Sequence, residues 1–357
     1  VGLRALGADV TTFAPRAPNV MDPIDDAGGA VVRVGDASAT APFYGDGLEA
    51  NLRGIASLRA ASALLRYGRA LRAEIAASGP FDAVIAHWLV PTAWWLAGKI
   101  SAPLFGVCHG GDARVLSRPW IGAACARRLR GATAGVLAVS RGAAEVVARR
   151  LDLPAARLAT APMGVDASAF APDAAAPEPR ESDLVVAAGR LVPIKGFDVL
   201  VRACAGADVR LLILGEGPER DALTRLAAKL GVRLDLPGAV RRDATASAFR
   251  RAAVAVVPSR RTPDGREEGT PVVALEAACA GAAVIAAAVG GLPDVLPPAS
   301  LVPPEAPDAL RTLLKEALRR PEAFRIPGAA ARFDRARTAE ALTGLLRAGG
   351  IGPSRRG

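Results

Sequence analysis

Short apolar runs of strand length alternate with longer segments of helical spacing along most of the chain, and a Pro/Ala-rich stretch at 171–182 (APDAAAPEPRES) divides the alternation in two. Parallel strands impose this rhythm. They cannot be joined by a tight turn, so each needs a crossover, usually a helix, which also covers the sheet faces. The first series predicts strands near 81–87, 103–108, 133–139 and 157–161, and helices near 48–78, 91–99, 117–130 and 140–151. The second predicts strands near 184–188, 209–214, 232–236, 252–257, 283–287 and 300–302. Its helices fall near 197–205, 217–230, 243–252, 271–280 and 305–320. The expected fold class is α/β, with two doubly wound Rossmann-like domains facing each other across a cleft. The boundaries are 1–170 for the first domain, 171–182 for the linker and 183–327 for the second, with a helical segment 328–357 that returns to the first half and frays over 351–357. In such sheets ligands bind beyond the carboxyl ends of the strands, so the residues there are the ones to read for chemistry.

The composition suits this architecture. At 357 residues the chain can bury two cores, and 51% of it is hydrophobic while only 4% is aromatic. Two histidines, His87 and His109, leave little material for a His-based metal site, and no metal is expected. The four cysteines are scattered through apolar runs, never as Cys-x-x-Cys, and read as buried thiols of a cytosolic protein. Segment 83–98 comes nearest to a membrane span, but it is short and holds His87 and Pro91. The net charge of +10 favours anionic partners. Six arginines (Arg114, Arg118, Arg127, Arg128, Arg130, Arg141) lie between Asp112 and Glu145 with no acid among them, and all four tryptophans fall between residues 88 and 120. This is either a solvated basic face over an aromatic core patch or a surface that docks peripherally on anionic membrane. No nucleic-acid-binding signature is present, so no nucleic-acid partner is expected. Residues 1–15 read as a helix end, a glycine stop and a strand over Ala8–Ala14, so the first βα unit and its Gly-rich loop are expected to be missing.

Three strand ends carry the chemistry. Residues 267–277 run Glu-Glu-Gly-Thr-Pro-Val-Val-Ala-Leu-Glu-Ala, with Pro271 suited to a first helical position, Thr270 to the N-cap and Gly281 to the stop. The free N–H groups of a helix N-terminus bind anions, and Glu268 and Glu276 flank this one. Phosphate and hydroxyls on one ligand would satisfy both, as in a nucleotide sugar. Gly189-Arg190-Leu191-Val192-Pro193-Ile194-Lys195-Gly196 follows another strand and offers close backbone approach with two fixed cations. Leu214-Gly215-Glu216-Gly217-Pro218 ends a third. Alone, such cations often decorate loops, His109 could be a core histidine, and Glu276 in its apolar helix needs a partner.

Together these stretches resemble the retaining glycosyltransferases of the GT-B fold, the large sugar-nucleotide-dependent group 1/family 4 type. Further matching stretches are Val257-Pro258-Ser259, Ala280-Gly281, Val289-Gly290-Gly291-Leu292-Pro293-Asp294-Val295, His109-Gly110-Gly111-Asp112 and Met163-Gly164-Val165-Asp166. The resemblance implies sugar transfer from a nucleotide diphosphate sugar to a glycan or lipid-linked acceptor, without a metal cofactor, at the cytoplasmic face of the membrane. It implies that Arg190 and Lys195 bind the diphosphate, Gly215, Gly269, Thr270 and Pro271 shape the donor site, and Glu276 holds the ribose. Glu268 and His109 then lie at the reacting sugar, with Asp112 on the acceptor side. A non-catalytic nucleotide-sugar-binding remnant and a nucleotide-sugar epimerase are the competing readings.

Overall fold

A computed structural model describes residues 2–16, 30–36, 40, 56–173, 178–263 and 265–352. Among them, β1 (Thr12–Pro15) and β2 (Val31–Val34) form a two-stranded parallel sheet. A four-stranded parallel sheet follows, β3 (Val84–His87), β4 (Leu104–Cys108), β5 (Gly135–Ala138) and β6 (Leu158–Thr160), in that order. The second half contains β7 (Glu181–Ala188), β8 (Arg210–Leu214), β9 (Arg233–Gly238), β10 (Ala252–Val257), β11 (Ala283–Ala287) and β12 (Leu301–Val302). They form one six-stranded parallel sheet in the order β12-β11-β10-β7-β8-β9. From β7 the chain winds outward through β8 and β9, then returns to build β10, β11 and β12 on the other side. The strand order thus reverses between β7 and β10, and a crevice opens at their carboxyl ends.

The alternation rhythm located each of the strands predicted for the two series. The strand β2 (VVRV) went unread. Helix 91–99 is mostly not an α-helix: a π-type turn spans Leu89–Ala93 and the α-helix covers only Trp94–Leu96, since Pro91 offers no N–H to continue a regular ladder. The predicted helix 48–78 is seen from Ala56 to Ser78, and residues 48–55 lie outside the described residues, as do 353–357 of the tail. The 171–182 linker ends earlier than its composition suggests, because β7 already begins at Glu181. Its Arg180 donates to the carbonyls of Ala252 and Ala280 at 2.9 and 3.0 Å, which ties it to the second half.

Strands β4, β5, β10 and β11 are buried along their whole length, as expected for sheets covered on both faces. The helix Arg335–Ala348 crosses back and seats Leu342 and Leu345 against Phe105, Val107, Leu137 and Val139 of the first half. Thr338 fixes the crossing. Its hydroxyl accepts from Gly164 N–H at 2.8 Å and donates to Pro162 O at 2.9 Å, beside a parallel bridge between Val165 and Asp334.

Candidate functional site between the two halves

The floor of the crevice is backbone. Gly189 follows β7 and Gly215 follows β8, and a Cβ on Gly215 would stand 1.9 Å from the Gly189 carbonyl oxygen, with φ at +145°. No other residue lets these two strand ends lie this close. Past Gly189 the chain passes Arg190, makes a single 3-10 turn over Pro193–Lys195 and enters the helix Phe197–Cys204. Lys195 therefore projects back to the strand ends, where its Nζ lies 2.5 Å from Glu268 Oε1. The fully buried Ser259, just beyond β10, donates its hydroxyl to the other carboxylate oxygen. Glu268 is thus fixed by one cation and one hydroxyl, an arrangement its isolation in the sequence did not reveal.

The helix after Glu268 starts one residue later than expected, over Val272–Cys279. Pro271 occupies the N-cap, with ψ at 111°, rather than the first helical position. Thr270 does not cap. Its buried hydroxyl donates to the Val139 carbonyl in the first half at 2.8 Å, because the first half lies close enough to compete for it. Glu276 sits one turn into the helix and lines the crevice. Burial raises its carboxyl pKa, against a smaller opposing pull from Arg242. Among the described residues no hydrogen bond to its carboxyl group is seen, and the group faces the open crevice.

The first half closes over these groups. Gly269 meets the turn after β4 backbone to backbone: a Cβ there would lie 2.2 Å from His109 O, and one on Gly110, with φ at +101°, would lie 2.9 Å from Gly269 Cα. This glycine apposition places His109 next to Glu268 and Gly269. At the rim, Asp294 accepts from the Arg141 N–H and from Arg141 Nε, both at 2.6 Å, and so caps the helix Arg141–Leu151 from the opposite half. The resulting cleft of about 790 Å³ is lined by Arg190, Lys195, Gly215, Glu268, Gly269, Thr270, Pro271 and Glu276 from the second half. Trp88, His109, Val139 and Met163 line it from the first.

His109 is backed by a second histidine. Its Nε2 lies 2.9 Å from His87 Nδ1 at the end of β3, and the rings stack at 5.1 Å. Burial, helped by the neighbouring His87, lowers the His109 pKa to about 4. Near neutral pH the pair is uncharged and at most one proton lies between the two nitrogens, so each ring fixes the tautomer of the other.

Asp112 does not line the cleft. Its carboxylate is 1% exposed and accepts from the backbone N–H groups of Leu89 at 2.7 Å and His109 at 2.8 Å, clamping the turns after β3 and β4 together. The resemblance puts it on the acceptor side. Its burial instead makes it the brace that holds His109.

The Arg- and Trp-rich segment is not one surface. Arg141 pairs with Asp294, so the acid missing from its own stretch of chain is supplied across the cleft. Arg128 covers the Trp94 ring and donates to its carbonyl at 2.7 Å, and Trp95 is buried. Trp88 lines the cleft, and Trp120 stands 87% exposed. Ser259 and Asp294 were not assigned roles from sequence, where His87, at a strand end before Trp88, reads only as structural or acceptor-lining. The signal for His87 and Trp88 was their place at a strand end one strand from His109.

The two halves match two family descriptions: residues 1–169 match Glycosyltransferase Family 4 and residues 172–333 match Glycosyl transferases group 1. The D-inositol 3-phosphate glycosyltransferase of Xylanimonas cellulosilytica is 34% identical over 260 residues, covering 63% of this chain and 60% of the relative. The GDP-mannose-dependent alpha-(1-6)-phosphatidylinositol monomannoside mannosyltransferase of Mycobacterium tuberculosis is 39% identical over 158 residues, covering 40% of this chain and 41% of the relative. The chain thus spans less than two thirds of the length of these curated relatives. Among solved structures, the sucrose-phosphate synthase of Thermosynechococcus elongatus superposes with a TM-score of 0.76 at 24% identity, covering 97% of this chain and 90% of the other. Anabaena HepE in complex with UDP and glucose gives 0.64 at 15% identity, covering 91% and 88%. With two parallel sheets facing one cleft and both halves matched in order, this chain belongs to the glycosyltransferases of the GT-B fold.

Proposed function

We propose that the chain transfers a sugar from a nucleoside diphosphate sugar to an acceptor hydroxyl, with retention at the anomeric carbon. The observation that carries this reading is the convergence of Arg190, Lys195, Glu268, Glu276 and the N-terminus of the helix Val272–Cys279 on one cleft at the strand-order reversal. The two cations and the helix N-terminus suit a diphosphate, whose departure is the electrostatically demanding event, and fixed charge in a cleft stabilises it without reorganisation. These groups take the part a divalent ion would otherwise play, so transfer is expected to persist in EDTA. Glu276 receives the ribose hydroxyls. Glu268, when a donor enters, exchanges part of its contact with Lys195 and Ser259 for sugar hydroxyls. His109, neutral at physiological pH, serves as a hydrogen-bonding group beside the reacting sugar rather than as a cation. The leaving phosphate takes the acceptor proton on the same face.

The acceptor is a glycan or lipid-linked hydroxyl of polysaccharide, lipopolysaccharide or glycolipid synthesis, reached by peripheral contact with the cytoplasmic face of an anionic membrane. That contact is supported by the exposed Trp120 on the helix Pro119–Leu129, with exposed Arg118 at its N-cap and Arg127 in its last turn. No helix among the described residues is long and apolar enough to cross a membrane.

Calorimetry with UDP, GDP and their sugars, followed by product analysis with a lipid-extract acceptor, tests the reading. A chain that binds none of these nucleotides does not carry out the proposed transfer from these donors. One that binds them but forms only an inverted linkage retains the donor site and loses the stereochemical claim.

A further inference from the structure

The two walls of the cleft differ in chemistry. Every charged side chain that lines it comes from the second half, namely Arg190, Lys195, Glu216, Glu267, Glu268 and Glu276. The first half contributes, among the described residues, Trp88, His109, Val139 and Met163, with no charge once His109 is held neutral. Trp88 is the unusual member. It is 44% exposed although the same turn leads to Leu89 and Ala93, which are fully buried, and the nearby Trp95 is 4% exposed. Its backbone sits at φ +73° and ψ +117°, a conformation that a bulky L-residue rarely adopts. The strain is held from both sides. Trp88 N–H donates to Val107 O at 2.9 Å, and the next residue, Leu89, donates to the buried Asp112 at 2.7 Å. The indole is also positioned: it packs against the His109 ring at 5.2 Å, and its Cζ3 lies 3.1 Å from where a Cβ on Gly111 would be. A large ring that could be buried is instead held in a strained turn against the histidine at the reacting end of the cleft. Strain of this kind persists where the surrounding structure over-determines it, and it marks ligand clamps.

We infer that Trp88 is the acceptor platform, and that the acceptor presents an uncharged polyhydroxylated ring, a pyranose or a cyclitol, to the indole. The inference rests on the glycosyltransferase reading above. An indole face carries negative charge density and meets the weakly positive C–H face of such a ring, while the hydroxyls at the ring edge remain free for His109 and for solvent. Among the described residues that line this wall, a phosphate would find no cation. The negative face would repel the phosphate, which is better served by the opposite wall.

The test uses the whole chain with saturating UDP or GDP, and titrates methyl α-D-mannopyranoside, myo-inositol and inorganic phosphate, followed by saturation-transfer NMR. The two ring compounds separate a glycan terminus from a cyclitol headgroup. Expected is binding of at least one of them, with magnetisation transferred from indole protons to ring C–H protons and no competition by phosphate. Trp88→Leu should weaken that binding about tenfold, and Trp88→Phe should recover most of it. Nucleotide affinity in each variant reports that the cleft is intact. If neither ring compound binds, if Trp88→Leu binds as well as the parent, or if phosphate displaces the ring, the inference is overturned. If the parent chain binds no nucleotide, it is the donor reading that falls.

Discussion

The two walls of the cleft are built on different principles. The second-half wall is a cluster of charged side chains near strand ends: Arg190 after β7, Lys195 a turn further on, and Glu268 and Glu276 around the N-terminus of one helix, with the buried Ser259 behind Glu268. The first-half wall consists of residues that each depend on another element. His109 is backed by His87 and clamped by Asp112, and Trp88 is held in a backbone conformation that its neighbours enforce. Charge is concentrated on one wall, and enforced placement on the other. Substitutions should therefore act locally in the second half and through geometry in the first.

The largest effect is expected where the walls touch. Gly269→Ala puts a Cβ against the His109 carbonyl, backbone that cannot move aside as a flexible side chain would. Misplacing the halves by an ångström or so should lower transfer by about a hundredfold. Nucleotide binding, which we propose rests on the second half, should fall far less, and parallel losses measured by calorimetry and turnover would show that the walls are not separable in this way.

Next comes Lys195→Ala, which removes a charge-assisted contact worth roughly 1.5–3 kcal/mol and leaves Glu268 with Ser259 as its remaining partner. Binding of a nucleoside diphosphate should weaken by about one to two orders of magnitude, while a free nucleoside should be little affected. Equal loss for both ligands would point to damage to the fold.

The two carboxylates should separate at about a tenfold level. Glu276→Gln should weaken UDP and UDP-sugar binding alike, whereas Glu268→Gln should matter only when the sugar is present. A ligand series with the reverse order would exchange their roles.

The first wall predicts a pH signature. His109 is held near 4, below the usual value of about 6.5 for an unfolded histidine. As pH falls from about 6.5 toward 4 the unfolded chain takes up a proton that the fold refuses, so the stability contributed by neutral His109 is complete above that window and is lost through it. His87→Phe removes the neighbouring imidazole and should raise the His109 pKa, as read by NMR titration of the ring. An unchanged titration would mean that burial alone sets it.

Smallest is the rim contact. Arg141 is largely exposed, so Arg141→Ala should leave thermal unfolding nearly unchanged, and it retains the backbone N–H contact to Asp294. A larger loss would make the rim a principal tie between the halves.

How much of this was legible depended on whether the physics is local. The alternation of apolar runs and helical spacing announced the strands because the inner parallel strands are apolar along their length and each strand is followed by its crossover. Arg190, Lys195, Glu268 and Glu276 were legible because a helix N-terminus and a strand end are short-range features, visible in a few consecutive residues. The sequence could not show that Thr270 would donate to Val139 rather than cap its own helix, since that choice depends on a carbonyl 131 residues away. Nor could it show that Asp112 would turn inward to clamp two turns, that Glu268 would be shared by Lys195 and Ser259, or that His87 would face His109. Composition and periodicity report what each segment would bury or expose by itself. Which polar group satisfies which is settled only when distant segments compete for the same hydrogen bonds, and in this protein that competition takes place along the seam between the two halves.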